Sequence, residues 1–114
     1  MKVPITGKAV YLSGPITGVE CYNRPLFRQV EKWTRKCGAR RVYNPTDLSP
    51  KIGETPKAHE YYMRVCLREL ASRRGYDLLV LLPGWEKSRG AVLEAYVARA
   101  LGMELTTIKF GGAK

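Results

Sequence analysis

Short apolar runs alternate along the chain with longer amphipathic segments, which is the pattern of an α/β protein. Apolar residues recurring at i, i+3, i+4 and i+7 predict three helices, from about Asn23 to Cys37, Ala58 to Arg73 and Ser88 to Leu101. The runs between them predict four strands: Ala9–Ser13, Arg41–Tyr43, Leu78–Leu82 and Leu105–Phe110. Because strands and helices alternate, we expect a parallel, doubly wound sheet with right-handed crossovers.

Two of the predicted helices carry clear apolar stripes. In the first, Leu26, Val30, Trp33 and Cys37 share one face; in the second, the stripe is Met63, Cys66, Leu67 and Leu70. Cys37 and Cys66 are therefore predicted to be core thiols. The polar segment from Thr46 to Lys57 is predicted to be a surface loop, and a loop this long in a small domain is usually functional or mobile.

The third helix contains an acid that needs an explanation. Between Ala91 and Leu101 the charged residues are Glu94 and Arg99, which lie about 140° apart around a helix axis. Since a lone guanidinium is rarely buried, Arg99 marks the solvent side, and Glu94 points inward in line with Val97, Ala98 and Leu101. The alternative is a first-turn acid that only interacts with the helix dipole. The two interpretations have about equal weight.

Three loops follow the carboxyl ends of predicted strands, and ligands of parallel α/β sheets bind at that edge. Ser13, Gly14 and Pro15 follow the first strand, and Asn44 follows the second. Trp85, after the third strand, offers a flat surface for a planar ring. An anion can bind the backbone N–H groups at the start of the last helix, near Ser88, Arg89 and Gly90. Together with the Glu94 carboxylate, these features predict a nucleotide-like ligand.

Composition and charge narrow the choice of partners. The chain has 114 residues, which suits a single domain spanning residues 1–114, and a formal net charge of +10. Residues 20–75 hold 13 Lys/Arg against 6 Asp/Glu, which favours an anionic partner: a nucleotide, a nucleic acid or an acidic protein. The alternative is simply a basic surface, and no basic stretch is interleaved with aromatic residues as in proteins that grip single strands.

The remaining composition indicates the compartment and argues against metals and membranes. Three cysteines without a CxxC pair predict a reducing cytoplasm. No His/Cys cluster predicts a metal or other cofactor, and His59 is predicted to be merely exposed. No apolar run approaches the ~20 residues of a membrane span, and Met1–Lys8 lacks the apolar region of a signal peptide, so no membrane association is expected.

Four segments together resemble the nucleoside 2-deoxyribosyltransferase-like superfamily, in particular its uncharacterised branch of small phage- and prophage-type proteins. They are Tyr11–Gly18 (YLSGPITG), Asn44-Pro45, Tyr62-Met63-Arg64 and Pro83–Glu94 (PGWEKSRGAVLE). The resemblance covers about residues 8–108. It implies a flavodoxin-like Rossmannoid fold, with three α/β/α layers and a four- or five-stranded parallel sheet.

The resemblance also implies N-glycosidic bond chemistry. Glu94 matches the glutamate that attacks the anomeric carbon of a deoxynucleoside, giving a hydrolase if water follows and a 2-deoxyribosyltransferase if a second base does. Ser88, six residues earlier, matches the serine of relatives that act on 5'-monophosphates. Tyr11 and Ile16, from the first motif, join the expected substrate contacts, and relatives are usually homodimers or larger.

One position departs from the family pattern. An aspartate that assists the leaving base is expected shortly after the Met-Arg pair, and Cys66 stands there. An unperturbed thiol has a pKa of ~8.5 against ~3.9 for Asp, and loss of a general acid costs about 10²–10⁴-fold in rate. The chain is thus a slow enzyme, an enzyme for an easily departing base, or a binder of nucleotides or nucleotide signals such as a phage counter-defence sponge. A basic module for nucleic acid or acidic protein is a third interpretation.

Overall fold

A four-stranded parallel sheet lies at the centre of the computed structural model, which describes residues 4–51 and 53–108. The strands are β1 (Ala9–Ser13), β2 (Arg41–Tyr43), β3 (Leu78–Leu81) and β4 (Glu104–Thr107). The helices between them are α1 (Arg24–Lys36), α2 (His59–Leu70) and α3 (Arg89–Ala100), with short 3₁₀ helices at Glu20–Asn23, Pro45–Leu48 and Trp85–Lys87.

Helices cover both faces of this sheet. Side chains alternate along a strand, so Val10 and Leu12 of β1 face Phe27 and Val30 of α1 in one buried cluster. Tyr11 lies on the opposite face, in a second cluster to which α2 and α3 contribute Cys66, Leu70, Ala95 and Ala98. The three-layer α/β/α class expected from the sequence is therefore confirmed.

The strand order is β2-β1-β3-β4, with every pair parallel. It matches the first four strands of the flavodoxin-like order 2-1-3-4-5, so the chain changes direction across the sheet between β1 and β3. The described residues form four of the four or five strands expected. The predicted β4 extended to Phe110, but Lys109 and Phe110 lie outside the described residues.

The inward face of α1 differs from the predicted stripe. Phe27, Val30 and Thr34 are buried, whereas Trp33 is 39% exposed. Leu26 and Phe27 are adjacent apolar residues at the start of the helix, so the buried stripe can begin at either one. In the structure it begins at Phe27. Thr34 tolerates burial because its hydroxyl donates to the Glu31 carbonyl oxygen at 2.9 Å, so no polar atom is left unpaired.

The inward direction of Glu94 on α3 is confirmed, because its side chain is only 6% exposed while Arg99 is exposed. The prediction that Leu101 lies on the same inward face is wrong, because this residue is 52% exposed. It is the C-cap residue, where the helix ends. Cys66 and Leu70 of α2 are buried as predicted.

The segment after β2 is less exposed than a surface loop. Its start forms the 3₁₀ helix Pro45–Leu48, in which Thr46 is buried, and Ser49 is buried immediately after it. This part of the loop prediction is therefore wrong, because the Asn44 side chain accepts a hydrogen bond from the Thr46 backbone N–H and folds the chain back onto the domain. Among residues 4–51 and 53–108, no helix is long and apolar enough to cross a membrane.

Candidate functional site

A cavity of about 560 Å³ lies at the carboxyl ends of β1 and β3, where the sheet order switches. Its walls come from four parts of the chain: the loop after β1, the segment that follows β2, the first turns of α2, and the start of α3. Of the predicted site residues, it is lined by Gly14, Pro15, Ile16, Ser88, Arg89, Gly90 and Glu94.

Two hydroxyl groups from β1 hold the carboxylate of Glu94. The Tyr11 hydroxyl donates to Oε2 at 2.6 Å, and the Ser13 hydroxyl donates to Oε1 at 2.6 Å. Tyr11 and Ser13 are two residues apart on a strand, so both point to the α3 side of the sheet. The structure thus brings these two predicted residues to the acid itself, behind the cavity wall. Each carboxylate oxygen keeps a further lone pair.

Burial raises the pKa of Glu94, because the charged form loses its hydration in the core. The hydrogen bonds from Ser13 and Tyr11 favour the charged form and lower the pKa, but they offset only part of this effect. Burial, together with the nearby Glu94 charge, raises the pKa of Tyr11 and keeps its hydroxyl protonated as a donor. An acid held this way suits nucleophilic or acid/base chemistry.

Gly14 lets the loop after β1 pass close to β3. A Cβ placed on Gly14 would lie 2.8 Å from Cβ of Leu82 and 3.4 Å from Cζ of Phe27, which is too close for a side chain. The absence of a side chain allows the cavity-lining residues Pro15 and Ile16 to follow directly from the buried end of the strand.

Ser88 caps α3, since its hydroxyl oxygen accepts from the Ala91 backbone N–H at 3.2 Å. Its hydroxyl hydrogen is still available to a ligand in the cavity. At Gly90 a Cβ would lie 3.0 Å from Met63 Sδ and 3.9 Å from His59 Cε1, so a glycine here lets the first turns of α2 and α3 approach closely. The start of α3 therefore forms a tight corner of the cavity.

Besides Tyr11 and Ser13, which lie behind the wall, two predicted site residues do not line the cavity. Asn44 is buried after β2, where its amide oxygen accepts from Thr46 and its amide nitrogen donates to Glu31 Oε1 at 3.0 Å. The neighbouring Pro45 lines the cavity instead. Trp85 packs against the core cluster on the α2–α3 side of the sheet. Both residues support the loops that build the site.

Cys66 of α2 lines the cavity near Glu94. Burial, together with the charge of Glu94, raises the pKa of its thiol to about 11, against hydrogen bonds with Tyr11 and Tyr43 that lower it. The thiol is thus neutral near pH 7 and a much weaker acid than a carboxyl group.

The wall also carries polar and aromatic groups that the sequence did not identify as contacts, among them Tyr22, Lys57, His59 and Tyr62. His59 is exposed, as expected, but it lies at the cavity mouth. Tyr62 belongs to a quoted motif, and the length of the loop before α2 was a signal for Lys57 and His59. Tyr22 carried no signal, because its position depends on an unusual backbone turn.

Comparison with protein families identifies the chain as a family member. Residues 8–107 match the model described as Domain of unknown function (DUF4406), so the chain belongs to this family. Searches of curated proteins and of solved structures found no match. The match spans all four strands and all three helices of the fold, and therefore the whole cavity.

Proposed function

We propose that this protein cleaves the N-glycosidic bond of a 2'-deoxynucleoside or its 5'-monophosphate through a covalent glycosyl-Glu94 intermediate. The observation that carries the proposal is a buried carboxylate on a cavity wall, with each of its oxygens held by one hydroxyl. The resemblance of the sequence motifs to the nucleoside 2-deoxyribosyltransferase-like superfamily supports the same chemistry.

The chemistry requires two displacements at one carbon. A Glu94 oxygen attacks C1' of the sugar, the C1'–N bond breaks, and the base leaves with the bonding electrons and takes up a proton. Water then attacks C1', loses a proton and frees the carboxylate, which is hydrolysis; attack by a second base gives transfer. Tyr11 and Ser13 fix the plane of the carboxylate throughout.

We place the 5'-phosphate of the proposed substrate at the start of α3. The backbone N–H groups of the first turn favour an anion, and the Arg89 side chain lines the same wall. The Ser88 hydroxyl hydrogen can be donated there as well. This arrangement leaves the sugar between the phosphate corner and Glu94, against the backbone of Gly14 and Pro15.

A second candidate function, binding of an intact nucleotide or nucleotide signal, is favoured by the thiol at Cys66. Its pKa of about 11 makes it a poor proton donor to a leaving base. A binding protein needs only the phosphate site at the start of α3 and contacts to the base, and it does not cleave the nucleotide. As an enzyme, the chain would be slow or would act on bases that leave without protonation.

We also propose that the protein is cytoplasmic, as its cysteine usage predicts, and that it self-associates, as the resemblance implies. The support is an exposed apolar strip on α3, comprising Val92, Leu93 and Tyr96, with Tyr96 73% exposed. Such strips mark interaction surfaces more often than single exposed residues do.

Base release from a panel of deoxynucleosides and their 5'-monophosphates, separated by chromatography, tests the activity. We expect free base from at least one 5'-monophosphate and none with Glu94→Gln. Glu86→Gln, which changes an exposed acid off the cavity wall, is the matched control and should keep full activity. Recovery of every nucleotide unchanged from folded protein would reject the enzyme and leave the binder, which retains a measurable Kd for a nucleotide.

A further inference from the structure

The segment before α1 has an unusual backbone. Cys21, Tyr22 and Asn23 have φ angles of 56°, 54° and 59°, three successive left-handed residues without a glycine. For L-amino acids this conformation brings Cβ too close to the following carbonyl oxygen, so it persists only where surrounding contacts hold it. Such strained stretches cluster at ligand sites.

Contacts to the cavity wall hold this segment in place. The Asn23 amide does not cap α1; its nitrogen donates instead to the carbonyl oxygen of Pro15 at 2.8 Å. The Arg24 guanidinium donates to the carbonyl oxygens of Ser49 at 2.9 Å and Pro50 at 2.8 Å. All three acceptors belong to residues that line the cavity. The left-handed turn is therefore braced against both of the loops that flank it.

The side chain presented by this turn is the aromatic ring of Tyr22. It is half-buried and lines the cavity, and the Arg24 guanidinium carbon lies 5.9 Å from the ring centroid. The other tyrosine on the wall, Tyr62, is anchored through its hydroxyl, which accepts from the Lys57 backbone N–H at 2.9 Å. Trp85, which the sequence suggested for ring binding, is partly buried and packs against the core instead.

We propose that the strained turn Cys21–Asn23 holds Tyr22 in the cavity as the surface on which the heteroaromatic base of the ligand stacks. The identity of that planar group as a nucleobase rests on the proposed function. Stacking is tolerant of base identity because every base has a π face. Both purine and pyrimidine nucleotides therefore gain affinity from this ring.

Calorimetric titration tests the proposal with two ligands that the proposed reaction does not consume. They are a carbocyclic 2'-deoxynucleoside 5'-monophosphate, in which carbon replaces the sugar ring oxygen, and 2-deoxyribose 5-phosphate, which lacks the base. Loss of base stacking on an aromatic side chain corresponds to about a 10- to 100-fold weaker Kd. We expect this loss for the nucleotide with Tyr22→Ala and none for the sugar phosphate. Tyr22→Phe should keep the wild-type Kd for both. Trp33→Ala, which removes a partly exposed ring on α1 off the cavity wall, is the control and should change neither value.

Equal nucleotide affinity in Tyr22→Ala and the unsubstituted protein would overturn the stacking role, as would an equal loss for the sugar phosphate. Failure of the proposed function gives a different result. In that case the unsubstituted protein still binds the nucleotide but releases no base. If the unsubstituted protein binds neither ligand, both proposals are wrong.

Discussion

At the scale of single residues, Glu94 is held in a balance between burial and hydrogen bonding. Only 6% of the residue is exposed, yet both oxygens are paired with hydroxyls from β1. Burial of this acid is thus costly to the fold, and such a cost is the trade-off expected if Glu94 serves the proposed reaction.

Replacing this acid should stabilise the fold at neutral pH. The raised pKa of Glu94 means that the folded chain retains a proton that the unfolded chain releases above the ordinary pKa of 4.5. The stability that protonated Glu94 contributes is therefore fully present below pH 4.5. It is lost as the pH rises through the higher pKa of the folded state. Glu94→Gln removes this loss, because its amide does not ionise.

Thermal melts over a range of pH check this prediction. The Tm of Glu94→Gln should exceed that of the unsubstituted protein at neutral pH, and the difference should shrink as the pH falls to about 4. Glu86→Gln, at an exposed position, should show no such trend. A Tm difference that is constant with pH would contradict the account of Glu94.

Ser13→Ala should move the acidic limb of the pH–rate profile to higher pH. The Ser13 hydroxyl stabilises the ionised form of Glu94 and lowers its pKa, so its removal leaves the effect of burial less opposed. The measurement is kcat/KM against pH for the best substrate of the panel. Ser72→Ala, which removes a buried hydroxyl outside the cavity, is the control. A limb that stays in place would show that Ser13 does not tune Glu94.

At the scale of secondary-structure elements, the close approach of the β1 loop to the end of β3 positions the site. Gly14→Ala should destabilise the protein by about 1–3 kcal/mol, because the added Cβ meets backbone-proximal atoms of Leu82 that cannot rotate away. Urea denaturation at pH 7 measures this cost. A change in the free energy of unfolding close to zero would mean that the loop moves freely from β3.

The elements also show what the sequence could predict. Periodicity located all three helices and four strands, and the angle between Glu94 and Arg99 placed the acid inward. It wrongly placed Trp33 on the buried face of α1, where the structure has Thr34, because the burial of a threonine depends on a hydrogen bond within its own helix that apolar periodicity does not detect. The position of Tyr22 on the cavity wall could not be predicted for another reason. Three successive left-handed residues held by contacts from distant loops leave no local pattern in the sequence.

At the scale of the whole molecule, the exposed apolar strip on α3 predicts self-association. Tyr96→Asp places a charge on the most exposed residue of the strip and should shift the protein toward the monomer in analytical ultracentrifugation. Lys32→Asp, a charge change at an exposed position of α1 on the opposite side of the sheet, is the comparison and should leave the association unchanged. An unsubstituted protein that is already monomeric at high concentration would contradict the prediction.

The net charge of +10 is a second whole-molecule property, and it favours anionic ligands of any length. The cavity favours a small anionic ligand over a long polyanion, because it has the size of a small-molecule site and contains one buried carboxylate. A mononucleotide should therefore compete fully with a long polyanion for the site. Nucleic-acid binding that a mononucleotide does not displace would belong to the basic surface instead.

Trapping the intermediate tests the central claim most directly. A deoxynucleotide analogue with fluorine at C2' destabilises the oxocarbenium-like transition state and slows release of the sugar from the enzyme. After incubation and denaturation, the mass of the protein should increase by one fluorinated sugar phosphate, located on the peptide that contains Glu94. Release of base with an unchanged protein mass, or an adduct on any other residue, would contradict the account.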